Sequence, residues 1–142
     1  MSPIERFARE ALGCHCAPEV FQRIEEDLAP LSGLSAPVRR IAIGGRLLIY
    51  LIPITEAAMA VAHLDEWLAA GLAERDRCGM NRVRLVLSHD ALAAAEGQAI
   101  EATCARLSMP DDRVHLHLIP AATVPAALGA PHPSAAMHPI GL

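Results

Sequence analysis

The first residues whose types and spacing favour chemistry are Cys14-His15-Cys16, in which two cysteines flank a histidine. Gly13 precedes this motif and Pro18 follows it, so both thiols lie between a predicted helix end and a predicted helix start. The unpaired N–H groups and the dipole at a helix N-terminus would stabilise a thiolate there. The motif therefore predicts a thiol-redox site in which Cys14 and Cys16 are the catalytic residues.

The same C-x-C spacing also suits metal binding. Both sulfurs can reach one zinc ion, one copper(I) ion or an iron–sulfur cluster. A disulfide between residues two apart is feasible but strained, because their Cα atoms approach only to roughly 5.5–7 Å. A thioredoxin-like interpretation is excluded, because its C-x-x-C follows a strand whereas this motif follows a predicted helix. The remaining interpretation is a helix–helix corner with small, partly buried thiols.

A second candidate group is His115 and His117, which share one face of a predicted strand. We expect their imidazoles to lie about 6–7 Å apart, close enough to converge on a metal ion. Together with Cys14 and Cys16 they would form a tetrahedral Cys₂His₂ set. No carboxylate or third histidine lies near them in the sequence, so an exposed polar strand face is the alternative interpretation.

Ser88-His89-Asp90 follows a predicted interior strand, and parallel sheets place ligands at such carboxyl ends. Three successive residues cannot form the relay of a catalytic triad. We therefore interpret Ser88 or Asp90 as the cap of the following helix.

The elements that position these residues follow the order α-α-β-β-α-β-α-β. Apolar residues at helical spacing predict a helix over about residues 3–12 and a second one from Pro18 to about Leu28. Gly44-Gly45 joins two strands of a hairpin, and Thr55 caps a long third helix. Two later strand–helix–strand crossovers imply parallel pairing. The sequence therefore predicts a single α/β domain with a four-stranded mixed sheet, built from the hairpin and parallel strands, and helices on its faces.

The domain is predicted to cover residues 1–119, followed by a Pro-rich C-terminal tail over residues 120–142. The chain of 142 residues suits one domain. The predicted helix over residues 56–74 is apolar on more than one side around His63, Trp67 and Ala70, which favours packing against a second copy in a homodimer.

Composition excludes several classes of function. The net charge is −4, all 12 basic residues are Arg, and no basic cluster with aromatic residues occurs, so we expect no nucleic-acid binding. No apolar run reaches the roughly 18 residues that span a bilayer, so we expect no membrane insertion. The N-terminus lacks the pattern of a signal peptide, which predicts a cytoplasmic protein. In that compartment the four cysteines are expected to be thiols or ligands rather than structural disulfides.

The segments "LGCHCAPEVF" and "IAIGGRLLIYLI" resemble a group of small bacterial and archaeal proteins of uncharacterised function. These proteins carry an N-terminal C-x-C motif followed by Pro-Glu and Val-Phe. The resemblance implies no activity, cofactor or substrate. Two hypotheses follow from the residues themselves: a thiol-redox or metal-binding protein, or a non-catalytic binding and assembly module with structural cysteines.

Overall fold

The computed structural model describes residues 2–107 and 114–126. Within them, one mixed sheet has the strand order β1-β2-β3-β4-β5. Its strands are β1 (Ile24–Ala29), β2 (Val38–Ile43), β3 (Leu47–Pro53), β4 (Arg82–His89) and β5 (Val114–Pro120), and the α-helices are α1 (Pro3–Arg6), α2 (Ala57–Cys78) and α3 (Ala94–Leu107). The β1–β2 and β2–β3 pairs are antiparallel, and the β3–β4 and β4–β5 pairs are parallel.

The α/β class and the mixed sheet are confirmed, but the predicted four strands, the element order and the second helix are wrong. The chain makes only a single 3₁₀ turn, Pro18–Gln22, before β1. Asp27 of β1 lies opposite Arg40 of β2, and its carboxylate accepts hydrogen bonds of 2.8 and 2.6 Å from Arg40. Leu28, which we expected on an apolar helix face, is 61% exposed. Pairing across strands therefore outweighs the helix-like spacing of this short segment.

Different parts of the chain cover the two faces of the sheet. On one face, α2 and α3 pack against the sheet, and Val83, Leu85 and Leu87 of β4 point to that side as the alternation predicts. On the other face, the N-terminal segment packs against β2, β3 and Val86. The first six residues of β3 are buried, which confirms that this strand is covered on both faces.

The N-terminal segment is helical from Pro3 to Ala11, close to the predicted range. The Ser2 hydroxyl accepts a hydrogen bond of 3.1 Å from the Glu5 N–H, and α1 continues as the π-helical turn Phe7–Ala11. Gly13 has a φ of +73°, the left-handed conformation that ends a helix. This segment therefore delivers Cys14 to the surface of the sheet.

Two predicted helix starts are wrong. α2 begins after Glu56, which is the extended N-cap residue, so Thr55 is not the cap. Ser88 remains part of β4 because it is paired with both neighbouring strands. α3 begins after Ala93, whose N–H donates to a glutamate of the first helical turn.

Trp67 belongs to the core rather than to a surface for a second copy. Its side chain is 0% exposed, and its indole N–H donates to the Ser32 carbonyl at 2.8 Å. The loop between β1 and β2 thus covers Trp67, whereas Ala70 on the same helix is exposed, so Trp67 no longer supports the homodimer hypothesis. Among residues 2–107 and 114–126, no helix has the length and apolar character needed to cross a bilayer.

The predicted C-terminal tail begins in contact with the sheet. Pro120 is the last residue of β5, and the 3₁₀ turn Ala121–Thr123 follows directly. The Pro125 carbonyl accepts a hydrogen bond of 2.7 Å from the Arg39 guanidinium. Residues 127–142 of the predicted tail and the predicted turn at residues 110–112 lie outside the described residues.

Arg39 is expected to stabilise the sheet edge more than its neighbour Arg23. Arg39→Met should lower the free energy of unfolding by about 1–3 kcal/mol, because the Glu26 carboxylate loses two hydrogen bonds from this guanidinium. The matched control is Arg23→Met, which breaks an ion pair with Glu25 whose side chains are 75% and 66% exposed. That control should change stability by less than about 0.5 kcal/mol. Urea unfolding followed by Trp67 fluorescence measures both, and equal effects would contradict the prediction.

Candidate thiol site

Cys14 and Cys16 are brought together, as the C-x-C spacing predicts. Both are free thiols. The Cys14 N–H donates to the Ala8 carbonyl at 2.9 Å, which holds the chain back against the π-helical turn, and the Cys14 side chain is buried. Cys16 is half-buried, and Cys14 is close enough to influence its ionisation. One sulfur of the pair is thus enclosed, and the other reaches the surface.

The predicted helix N-terminus behind the thiols does not exist. Pro18–Gln22 is only one turn of 3₁₀ helix, too short to supply a substantial dipole. The sequence prediction therefore named the wrong source of positive charge. The structure supplies another source in Arg84, which the prediction did not include.

Arg84 is a buried cation on the same face of the sheet as the thiols. Its side chain donates through Nη1 to the Leu12 carbonyl at 2.7 Å, and its Nε has no hydrogen-bond partner. Within the described ranges no carboxylate forms an ion pair with it. Burial lowers the pKa of Arg84, whereas negative charge on Cys14 or Cys16 would raise it. A thiolate of this pair is therefore a favourable counter-charge for the buried guanidinium.

His117 is held as a neutral imidazole by Arg84. The Arg84 guanidinium can only donate, so its Nη1 contact of 2.9 Å makes the His117 Nε2 an acceptor and leaves the ring hydrogen on Nδ1. Burial, followed by the charges of Arg84 and His115, lowers the pKa of His117 to about 4. The ring centroids of His115 and His117 are 6.3 Å apart. Their shared strand face and separation agree with the sequence prediction.

The four predicted metal ligands lie on one face of the sheet without forming a metal centre. The thiols and His117 are connected through Arg84. In the part of the chain that the structure describes, no three His, Cys, Asp or Glu side chains are arranged to hold a metal ion. A permanent guanidinium charge also opposes a metal cation at the same place. Zinc, copper or an iron–sulfur cluster at Cys14, Cys16, His115 and His117 stays a prediction that this geometry does not favour.

The thiol pair retains a proton over a wide pH range. Burial raises the pKa of Cys16 to about 11, and the hydrogen bond to Cys14 and negative charge on Cys14 add to this. Arg82 and Arg84 act in the opposite direction. The effect of burial is larger than that of the two arginines, so Cys16 is mostly a thiol at neutral pH.

Cys16 lines a cleft of about 630 Å³ at the amino ends of β3 and β4. Three guanidinium groups, those of Arg23, Arg46 and Arg82, line this cleft, together with the carboxylate of Glu19. Sequence analysis missed both the cleft and Arg84. The sequence did contain a signal for Arg84. This arginine lies in the middle of an alternating strand that is predicted to have a strand on each side, and a charged residue is unusual at such a position.

Ser88, His89 and Asp90 lie at the opposite end of β4 and do not form a site together. Ser88 is buried on the thiol face, and strand alternation turns His89 to the other face. Asp90 is exposed after the end of the strand. The exclusion of a catalytic triad from adjacent residues agrees with this geometry.

The two remaining cysteines are held as thiols by local contacts. The Cys78 thiol is exposed and donates to the Glu74 carboxylate at 3.0 Å, which raises the pKa of Cys78. Burial raises the pKa of Cys104 to about 11. Both sites therefore disfavour a thiolate at neutral pH, and among the causes of their pKa shifts only Cys78 has arginines nearby that favour the thiolate, as Cys16 has.

The turn at Gly44-Gly45 is predicted to fix the thiol segment. Both residues have positive φ, so alanine at either position should cost about 1–2 kcal/mol. A Cβ at Gly44 would also lie 2.5 Å from the Val20 carbonyl oxygen, whereas a Cβ at Gly45 meets no atom within 4 Å. Gly44→Ala should therefore displace Pro18–Gln22 and slow the labelling of Cys16. Gly45→Ala is the control and should retain the wild-type labelling rate, as measured by mass spectrometry of the modified peptide.

Comparison of the chain with protein-family models, with curated proteins and with solved structures gives no match. The functional conclusion therefore depends on the geometry of the thiol pair and of Arg84.

Proposed function

We propose that this protein carries out thiol–disulfide exchange through Cys14 and Cys16. The observation that carries the proposal is the pair of free thiols close to Arg84, a buried guanidinium without a carboxylate partner in the described residues. An uncompensated buried cation is costly, and a thiolate reduces that cost. Formation of the reactive anion is therefore coupled to the stability of the site.

Accessibility assigns different roles to the two sulfurs. Cys16 lines the cleft and is the attacking sulfur, whereas Cys14 is 5% exposed and is the resolving sulfur. The high pKa of Cys16 limits the fraction of thiolate at neutral pH, although the thiolate that forms is a strong nucleophile. The positive charges of Arg82 and Arg84 favour this thiolate and offset part of the effect of burial.

The exchange balances as a two-electron reaction. The Cys16 thiolate attacks one sulfur of a disulfide RSSR, a Cys16–SR bond forms, and the S–S bond breaks with release of RS⁻. This RS⁻ takes the proton from Cys14. The Cys14 thiolate then attacks the Cys16 sulfur and releases the second RS⁻. The products are one Cys14–Cys16 disulfide, RSH and RS⁻, and the two electrons pass from the protein to the disulfide substrate.

A strained C-x-C disulfide returns easily to the dithiol, so the same pair can be reduced by a second thiol and complete a cycle. A cytoplasmic location, which the sequence predicts, would keep the resting pair reduced. The proposal thus accounts for two free thiols at a site that can form a disulfide.

The test compares thiol labelling in matched cysteine variants. At pH 7 the wild type and a Cys78→Ser/Cys104→Ser variant should react with an aromatic disulfide at similar rates and form the Cys14–Cys16 disulfide. Cys16→Ser should remove this reaction. Cys14→Ser should stop at the mixed disulfide, which mass spectrometry detects as retained RS on Cys16. A Cys16→Ser variant that reacts as fast as the wild type, or a wild type that forms no Cys14–Cys16 disulfide, would overturn the proposal.

A further inference from the structure

We infer that the cleft beside Cys16 selects small disulfides that carry carboxylate groups. This inference rests on the proposed exchange reaction and names its class of substrate. The cleft combines a sulfur that is half-exposed with guanidinium groups from β4 and from the β2–β3 turn. Its volume of about 630 Å³ is within the range of sites for small molecules.

Two of the guanidinium groups belong to one backbone unit at the mouth of the cleft. The Arg82 N–H donates to the Arg46 carbonyl at 3.0 Å, and the Asn81 N–H donates to the same oxygen at 2.8 Å. Arg82 is also close enough to Cys16 for its charge to favour the thiolate there. The backbone segments that carry Arg46 and Arg82 are therefore held together beside Cys16.

These charges are largely uncompensated, although the chain has a net charge of −4. Arg46 and Arg82 form no ion pair with any carboxylate among residues 2–107 and 114–126, and Arg84 behind them forms none either. Arg23 is paired with Glu25 at 3.1 Å. Glu19 is the carboxylate that lines the same cleft. The remaining excess of positive charge favours a ligand with carboxylates, which guanidinium groups bind through paired hydrogen bonds.

Charge selection by the cleft has a consequence for rates. An anionic disulfide should be attracted to the cleft before the Cys16 thiolate attacks its sulfur, and salt should weaken this attraction. A cationic disulfide should be repelled by Arg46 and Arg82. A neutral disulfide should react at a rate that depends on the thiolate alone.

The experiment uses the full chain and three disulfide probes of different charge. These are dithiobis-nitrobenzoate, which is anionic, dithiodipyridine, which is neutral, and cystamine, which is cationic. Each rate constant is divided by that of free cysteine with the same probe, which removes the intrinsic reactivity of the probe. We expect the normalised rate with the anionic probe to exceed the other two by roughly ten-fold at low salt and to fall as salt increases.

Matched variants distinguish the effect of the cleft arginines from the effect of the net charge of the protein. Arg46→Gln/Arg82→Gln should remove the preference for the anionic probe, measured as the ratio of its normalised rate to that of the neutral probe, because a change in the amount of thiolate cancels in this ratio. Arg6→Gln/Arg106→Gln makes the same change in net charge at exposed positions outside the cleft and should keep the preference. Equal normalised rates with all three probes would overturn this inference and leave the exchange reaction standing. Failure of every probe to form the Cys14–Cys16 disulfide would overturn the exchange reaction itself.

Discussion

Arg84→Met is expected to slow thiol–disulfide exchange at pH 7 by roughly ten-fold or more, since an opposite charge close to an ionisable group shifts its pKa by about 1–3 units. The guanidinium of Arg84 supplies favourable positive charge to the thiol pair. Its loss leaves fewer of the molecules with a thiolate at neutral pH. Stopped-flow measurement of the reaction with an aromatic disulfide gives the rate.

The pH profile distinguishes this electrostatic role from a merely structural one. If Arg84 acts on the protonation of the pair, the Arg84→Met rate should approach the wild-type rate as the pH rises, because the missing thiolate forms at higher pH. A distorted site would remain slow at every pH. Arg84→Lys, which keeps the positive charge, should recover a substantial part of the rate at pH 7.

The pKa of His117 provides a second test of the role of Arg84, because the two side chains are in contact. Because the charge of Arg84 helps to lower the pKa of His117, that pKa should rise in Arg84→Met and remain low in Arg84→Lys. Nuclear magnetic resonance titration of the imidazole measures both. A normal exchange rate in Arg84→Met, with a folded protein, would contradict the role assigned to this residue.

Acidification is expected to destabilise the fold between pH 6.5 and about 4 through His117. The unfolded chain binds a proton at the ordinary histidine pKa of 6.5, whereas the folded chain resists protonation until about pH 4. The unfolded state therefore holds more protons in this window, and stability falls as the pH decreases. The full effect is about 3 kcal/mol as an upper limit, because His117 retains partial solvent contact.

The effect of His117 can be separated from that of other acid-sensitive groups by substitution. His117→Gln should flatten the pH dependence of the unfolding free energy between pH 6.5 and 4, as measured by urea unfolding at each pH. His15→Gln, which changes an exposed imidazole, is the control and should keep the wild-type dependence. The carboxylates Asp27 and Glu74, whose pKa values are lowered by Arg40 and Cys78 respectively, lose their contributions at lower pH. An unchanged slope in His117→Gln would contradict the prediction.

Several local features could be predicted from the sequence because they depend on neighbouring residues alone. The alternation in β4 and β5, the positive φ of Gly44 and Gly45 and the end of the first helix at Gly13 all agree with the structure. In each case the physical cause is confined to a few residues: side-chain period in a strand, or the lack of a Cβ where φ is positive.

The identity of β1 could not be read from its own residues. The spacing of Ile24 and Leu28 is also that of a helix face, and acidic residues suit a solvated helix as well as a strand edge. This segment is a strand because it pairs with β2, where Arg40 lies opposite Asp27. Such a contact joins residues that are well separated in the chain, and local spacing does not record it.

The candidate site also contains some features that local sequence predicts and others that depend on tertiary packing. The sequence by itself determined that Cys14 and Cys16 are adjacent and that His115 and His117 share a strand face, because both follow from distances of two residues. Only the tertiary structure decided that Arg84 lies beside both groups, since its position depends on how the N-terminal segment packs across β4. That packing buries a charge without a carboxylate partner in the described residues, and the electrostatics of this desolvated charge are the basis on which we propose exchange chemistry at the thiol pair.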